Sequence, residues 1–314
     1  MRKNILFILI VGIFCSAYAD KYAGEIFRAG AGVRNLSLGR TGVTDTKSAS
    51  LAYWNSALVA EAGEKQIEVM HSEEYDGLMS CDIISGVFPG KYNFSFTVAR
   101  VALTGNSLTE LTDPEDSLST NNIPYEYKKV TNSDYIAYFG FTADIGGITL
   151  GISPKTVYRS LAENSGYGFG VDISSYKKWD DNLIVGIRFH DIITAQVFWE
   201  NGTRETVNPG IDAEIGYSIE MPVIKRELRC FFGAETLFEG IEEGATLAFD
   251  PVSMDFHGGI DLAVHENVNF LAGYDINHFT AGLSMSYKRF KANYGFEYDN
   301  ELENSHRISL GMVL

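Results

Sequence analysis

The chain has 314 residues, with 41 acidic side chains against 25 Lys and Arg, for a formal net charge of −16. That balance argues against nucleic acid as a partner, because nucleic-acid binding needs a basic face. No stretch beyond the N-terminus approaches the roughly 18 uninterrupted apolar residues of a membrane-spanning helix, which excludes a helical inner-membrane protein.

In chain order, the first element is an export signal. Arg2 and Lys3 start it, residues 5–14 form a short apolar core, and Ala17-Tyr18-Ala19 reads as a small-x-small cleavage site. Residues 1–19 are therefore expected to be a cleaved leader, with the mature chain beginning at Asp20. Cys15 does not make a lipoprotein signal, since Phe14 before it is too bulky.

Residues 20–64 do not look like strands. A glycine-rich run holds Gly30, Gly32, Gly39 and Gly42. One helix is predicted over 48–60, N-capped by Ser48, with Leu51, Trp54, Leu58 and Val59 on one side. The segment is too small to bury a core of its own.

From Gln66 onward the period is two. Strands are predicted at 66–72, 81–88, 91–103, 133–144, 149–158, 167–176, 183–190, 211–219, 228–237, 254–264, 268–275, 279–287, 290–298 and 306–314. Successive side chains of a strand point to opposite faces, so this alternation means one apolar and one polar or glycine-lined face. About fourteen such strands fit an all-β, antiparallel transmembrane barrel of the outer-membrane kind. Tyr135, Tyr158, Trp179, Trp199, Tyr217, Tyr274, Tyr287 and Tyr298 lie near strand ends, where aromatic girdles belong.

Loop lengths sort by parity. Tight connections fall at Pro89-Gly90, Gly146-Gly147, Glu266-Asn267 and Lys288-Arg289, and long ones at 104–132, 191–210 and 238–253. Short inner turns and long outer loops are expected of such barrels. The short connection at Ile276-Asn277-His278 is an exception. Asp212, Glu214, Arg188 and His190 fall on the polar parity, so charges of both signs should face a lumen.

Chemistry is sparse. There is no phosphate-binding loop, dinucleotide fingerprint, zinc-protease helix or serine-hydrolase elbow, and neither an enzyme activity nor a cofactor is expected. His257 and Asp261 share a strand face, with His265 beyond, but four residues span roughly 13 Å, too far for a hydrogen bond; a structural pair in the lumen is the expectation. Asp113, Glu115 and Asp116 lack the ordered spacing of a calcium loop. Cys81 and Cys230 are expected to be unpaired thiols.

Two stretches resemble the PorV/PorQ-type outer-membrane proteins, relatives of the FadL channel. The first, AGVRNLSLGRTGVTDTKSASLAYWNSALVA, ends in a WNPAGLA-like motif matched at Trp54, Asn55 and Ala57; Ser56 replaces the usual proline and Leu58 the usual glycine. The second is the C-terminal run FTAGLSMSY, YGFEYD and SHRISLGMVL, where His306, Arg307, Ser309 and Gly311 match. Leu314 departs from the phenylalanine with which many outer-membrane barrels end. The resemblance implies a fourteen-stranded barrel (65–314) with a short helical plug or hatch (20–64) in the outer membrane. It also implies a non-enzymatic accessory of type IX-like protein secretion, with lipid around it and protein partners from a secretion or surface-attachment complex. The alternative is a FadL-like passive channel for hydrophobic small molecules, which needs an apolar patch on the inner wall. In the last strands the inner parity is polar apart from Phe231 and Leu271, which weighs against that alternative.

Overall fold

The computed structural model describes residues 24–192, 195–222, 225–238, 245–299 and 303–314; the expected leader, residues 1–19, and the start of the segment after it lie outside them. The strands are β1 (Gln66–Glu74), β2 (Met79–Phe88), β3 (Phe94–Leu111), β4 (Pro124–Ile145), β5 (Ile148–Leu161), β6 (Asn164–Lys178), β7 (Leu183–His190), β8 (Gln196–Trp199) and β9 (Arg204–Thr206). They continue as β10 (Gly210–Met221), β11 (Arg226–Leu237), β12 (Leu247–Phe249), β13 (Val252–His265), β14 (Val268–Asp275), β15 (His278–Tyr287), β16 (Phe290–Tyr298) and β17 (Ser305–Val313).

All but β8, β9 and β12 form a closed, antiparallel, fourteen-stranded barrel. β1 pairs with β17 to shut it, Gln66 opposite Val313 and Glu73 opposite His306, and β7 pairs directly with β10. Closure leaves the barrel no free edge, the condition for β-structure in lipid.

The even connections are tight, as predicted. The odd ones sort less cleanly, because the turns at 75–78 and 162–163 are short as well as the one at 276–277. The outer end gains height from strands instead. β3 and β4 run 18 and 22 residues, so much of the 104–132 stretch expected as loop is a hairpin, Asn106 to Leu111 pairing with Val130 to Pro124. Within 191–209, β8 and β9 form a small hairpin that pairs onto the end of β6.

Period two sets the faces. Ile84, Phe139, Ile152, Phe232, Ile260, Leu283 and Leu310 are exposed on the outside. Such a contiguous apolar belt is unfavourable in water and is the surface a bilayer requires. Of the expected girdle, Tyr135, Tyr158, Trp179, Tyr217, Tyr274, Tyr287 and Tyr298 are exposed. Trp199 is not part of it: on β8 it packs against the buried cluster at the mouth, with the Arg159 guanidinium 5.4 Å from its ring. Asp212, Glu214, Arg188 and His190 are buried on the inner face.

The N-terminal segment occupies the lumen. It contains a 3-10 turn (Glu25–Arg28), helix α1 (Val33–Ser37), helix α2 (Leu51–Trp54) and a 3-10 helix (Ser56–Glu61). Helices this short are not stable alone and depend on the wall around them. The single helix predicted over 48–60 is therefore corrected to two pieces that break at Asn55, which is extended at φ −161° and ψ 96°. Ser48 is not an N-cap; its hydroxyl accepts from the Ser50 N–H and donates to Asn35. The predicted apolar side also divides. Leu51, Leu58 and Val59 pack with Val87 and Ile184, whereas Trp54 joins a second cluster with Phe27, Tyr53 and Tyr138.

Candidate functional site

The inner face is fitted to the N-terminal segment at backbone level. A Cβ on Gly273 would lie 2.1 Å from the Gly39 nitrogen, and one on Gly259 2.3 Å from the Leu38 carbonyl oxygen. Gly151 bears the same relation to the Ala57 nitrogen, at 2.3 Å. These wall glycines are the small members of the polar parity, and they admit the segment's main chain.

Charged contacts then fix it. The Glu214 carboxylate accepts from the N–H groups of Gly42 (2.8 Å), Val43 (3.2 Å) and Thr44 (2.8 Å). Arg34 lies between Asp45 (2.7 Å) and Asp261 (2.7 Å), and Arg229 reaches Asp45 from the wall at 2.9 Å. Burial alone would raise the Asp45 carboxyl, but Arg34 and Arg229 outweigh it and hold it well below the usual carboxylate range. Arg188 donates to the Tyr53 carbonyl at 2.6 Å.

Trp54, Asn55 and Ala57 come together here. The Trp54 indole N–H donates to the Ala31 carbonyl at 2.7 Å. The Asn55 amide donates to the Val43 carbonyl (2.7 Å) and to the Ser175 carbonyl on β6 (3.2 Å), and its oxygen accepts from the Ala57 N–H at 3.1 Å. The C-terminal residues do not form a second site, because they alternate between faces. Arg307 points inward to Glu74 (2.6 Å) and Glu297 (2.8 Å). Ser309 accepts from Asn293 at 2.9 Å, and Gly311 lies beside the Glu68 carboxylate. His306 faces outward, hydrogen-bonded to the Tyr294 hydroxyl at 2.9 Å.

His257 and Asp261 are not partners of each other: His257 faces Glu214 at 3.8 Å, and Asp261 is held by Arg34. The loop carrying Asp113 and Asp116 is organised by the Asn122 side chain, which donates to both of their carbonyls. Cys81 faces the lumen on β2, and Cys230 lies on the outward parity of β11; both are free thiols.

Among the described residues, the N-terminal segment has one cavity of the lumen on each side of it. The one near the tight turns, about 570 Å³, is polar, with Arg34, Lys47, Glu64, Glu68, Lys291 and Asn293 in its lining. The one at the outer mouth, about 470 Å³, has an apolar wall of Met70, Met79, Cys81, Val101 and Leu103, faced by Ile26, Ala29 and Leu36 from the segment. Its charged rim is internally paired: Arg159 with Asp134 (3.1 Å), Arg40 with Asp275 (3.1 Å), Arg307 with Glu74. Helix α1 separates the two, Leu36 lining one and Arg34 and Asn35 the other.

Reading the last strands alone missed this apolar wall. It lies on β1 to β5, where Met70, Ile83, Ala99, Val101, Ile136 and Val157 are buried on the inner face. Part of the signal was present: in 81–88 and 94–103 the inward parity carries Cys81, Ile83, Val87, Ala99, Val101 and Leu103 beside the small polar Ser85, Ser95 and Thr97.

No family model and no curated protein matches the chain. Solved structures do. The toluene transporter TbuX of Ralstonia pickettii aligns with a TM-score of 0.58 at 11% identity, over 91% of this chain and 98% of that one. The toluene transporter TodX of Pseudomonas putida aligns with a TM-score of 0.58 at 11% identity, over 90% and 96%. The CymD monoaromatic hydrocarbon channel gives 0.53 at 12%, over 91% and 98%. The fold is shared with these solved structures. At these identities the likeness concerns architecture alone, over nearly the whole of both chains.

Proposed function

We propose that this chain is an outer-membrane channel that admits small hydrophobic molecules by a passive route. The observation that carries the reading is the cavity of about 470 Å³ at the outer mouth, where the apolar wall of β1 to β3 faces Ile26, Ala29 and Leu36 of the N-terminal segment beside charged residues that are paired with one another. Burial there removes apolar ligand surface from water at about 25 cal/mol per Å². The rim arginines are tied to carboxylates of the chain itself, so they do not offer a free cation to an anionic ligand. The similar folds belong to transporters described for toluene and channels described for monoaromatic hydrocarbons, which agrees with a compact, neutral cargo.

In this reading residues 1–19 are the leader, 20–64 the plug and 65–314 the barrel. Trp54, Asn55 and Ala57 anchor the plug; His306, Arg307, Ser309 and Gly311 hold the closing strand. Cargo enters the outer cavity and reaches the inner one when α1 shifts. Both steps are passive, and neither needs a catalytic group. Purified protein in liposomes should speed entry of a small neutral aromatic, and Val101→Asp should abolish the gain. Equal entry with and without the protein would sink the reading.

The PorV/PorQ-type role, binding proteins of a secretion or surface-attachment complex, is the second reading. What favours it is the β3–β4 hairpin, whose outer part exposes Leu118, Ile123, Tyr125 and Tyr127. Deleting the gene should then block export or anchoring of surface proteins; normal export would exclude it.

A further inference from the structure

Three neighbouring strands bring together a histidine and two carboxylates that the channel reading does not use. His190 ends β7, Asp212 lies on β10 and Glu235 on β11, and one ligand atom from each falls within 4.8 Å of the others. The His190 Nε2 is 3.7 Å from Glu235 Oε1 and has no hydrogen-bond partner, although the residue is only 5% exposed. Its Nδ1 faces Asp191 at 3.6 Å. A carboxylate behind the far nitrogen of a ring is how a metal-binding imidazole is oriented.

Charge points the same way. Lys155 serves Asp172 and Asp191, both at 2.8 Å. Arg188 serves Asp212 at 2.9 Å, and Arg28 serves Glu235 at 2.7 Å and Asp255 at 3.9 Å. Arg40, which serves Asp275 at 3.1 Å, also faces Glu235, so six carboxylates share four permanent cations, a shortfall that matches one divalent ion.

We propose that His190, Asp212 and Glu235 bind a divalent transition-metal ion of the zinc type, beneath the outer mouth of the lumen. Zinc bonds of about 2.0–2.2 Å place tetrahedral donors about 3.4 Å apart, so the His190–Glu235 spacing needs only a few tenths of an ångström of closure. Asp212 supplies the third ligand by a larger side-chain movement, and lumen water the fourth. An imidazole donor and so few protein oxygens do not suit calcium or magnesium. Glu235 is also held by Arg28 of the N-terminal segment, so the ion sits where that segment meets the wall.

The test uses the full chain in detergent micelles, stripped with chelator and titrated with Zn²⁺ alone near neutral pH. One equivalent should remain after desalting, and His190→Gln and Glu235→Gln should each weaken binding at least about tenfold. His278→Gln, at the outer mouth, should leave it unchanged. Each variant must keep the heat-dependent gel mobility of a folded barrel. Co²⁺ gives a reading on the native chain that needs no variant: tetrahedral visible bands are expected. The proposal is overturned by no retained zinc, by a six-coordinate aqueous cobalt spectrum, or by folded His190→Gln binding like the native chain. Loss of binding in His278→Gln alone would likewise overturn it.

Discussion

Glu214→Ala isolates what holds the N-terminal segment in the barrel. Glu214 is 1% exposed, and its carboxylate collects three backbone N–H groups, from Gly42, Val43 and Thr44, plus the Thr44 hydroxyl. Removing it leaves three buried donors without an acceptor. Each costs about 1–3 kcal/mol if water cannot reach it, so the seat loses about 3–6 kcal/mol even with partial rehydration. The barrel ladder is untouched, because β10 keeps its backbone pairing with β7 and β11. The loss should therefore appear in the segment and not in the barrel. At 1.4 kcal/mol per decade, amide exchange at residues 42–44 should accelerate by about 10²-fold or more. Heat-dependent gel mobility of the barrel should barely change. If exchange at those three amides rose by less than tenfold, the carboxylate would not be the latch described here.

Gly273→Val should displace the segment without opening the barrel, because its Cβ would meet the Gly39 backbone, which has no rotamer through which to yield; protease cutting after Arg40 measures this, and uncut protein would contradict it. Asp45→Asn breaks two buried ion pairs at once and should cost about 3–5 kcal/mol of seating, read by the same proteolysis. The pH dependence follows from the sign of the Asp45 shift. Its folded carboxyl is held low, so its contribution is full above the unfolded value of about 3.9 and is lost as pH falls below it. Proteolysis should stay slow from neutral pH down to that value and quicken in stronger acid; release of the segment near neutral pH would refute the assignment. In the outer cavity, Val101→Asp should weaken binding of a small apolar fluorophore at least about tenfold, while Leu118→Asp on the exposed loop should not; equal binding by both would remove the cavity from the account.

Much of this fold was readable from local pattern. Each of the fourteen strand windows coincides with a barrel strand, because side-chain alternation is a property of consecutive residues and needs no partner. The inward placement of Arg188, Asp212 and Glu214 followed from the same parity. The lengths of β3 and β4 did not, because their outer ends are strands only by virtue of pairing with each other beyond the bulge at Leu103.

The site was less legible, and the reason is sequence distance. Arg34 finds Asp261 across 227 positions and Glu214 finds Gly42 across 172. No local signal specifies either pair. The break at Asn55 has the same origin: the helical pattern runs through it, but bonds to Val43 and Ser175 draw its backbone into an extended form. The apolar wall was visible only as apolar residues on the inward parity of β2 and β3, with no indication of which residues would share a cavity. The chain by itself therefore determined the fourteen strand windows of the barrel and which face of each is apolar, since those depend on neighbours in sequence. Only the tertiary structure decided where the inner face is apolar, what the N-terminal segment touches and which charges meet, since those depend on strand order, register and closure of the barrel.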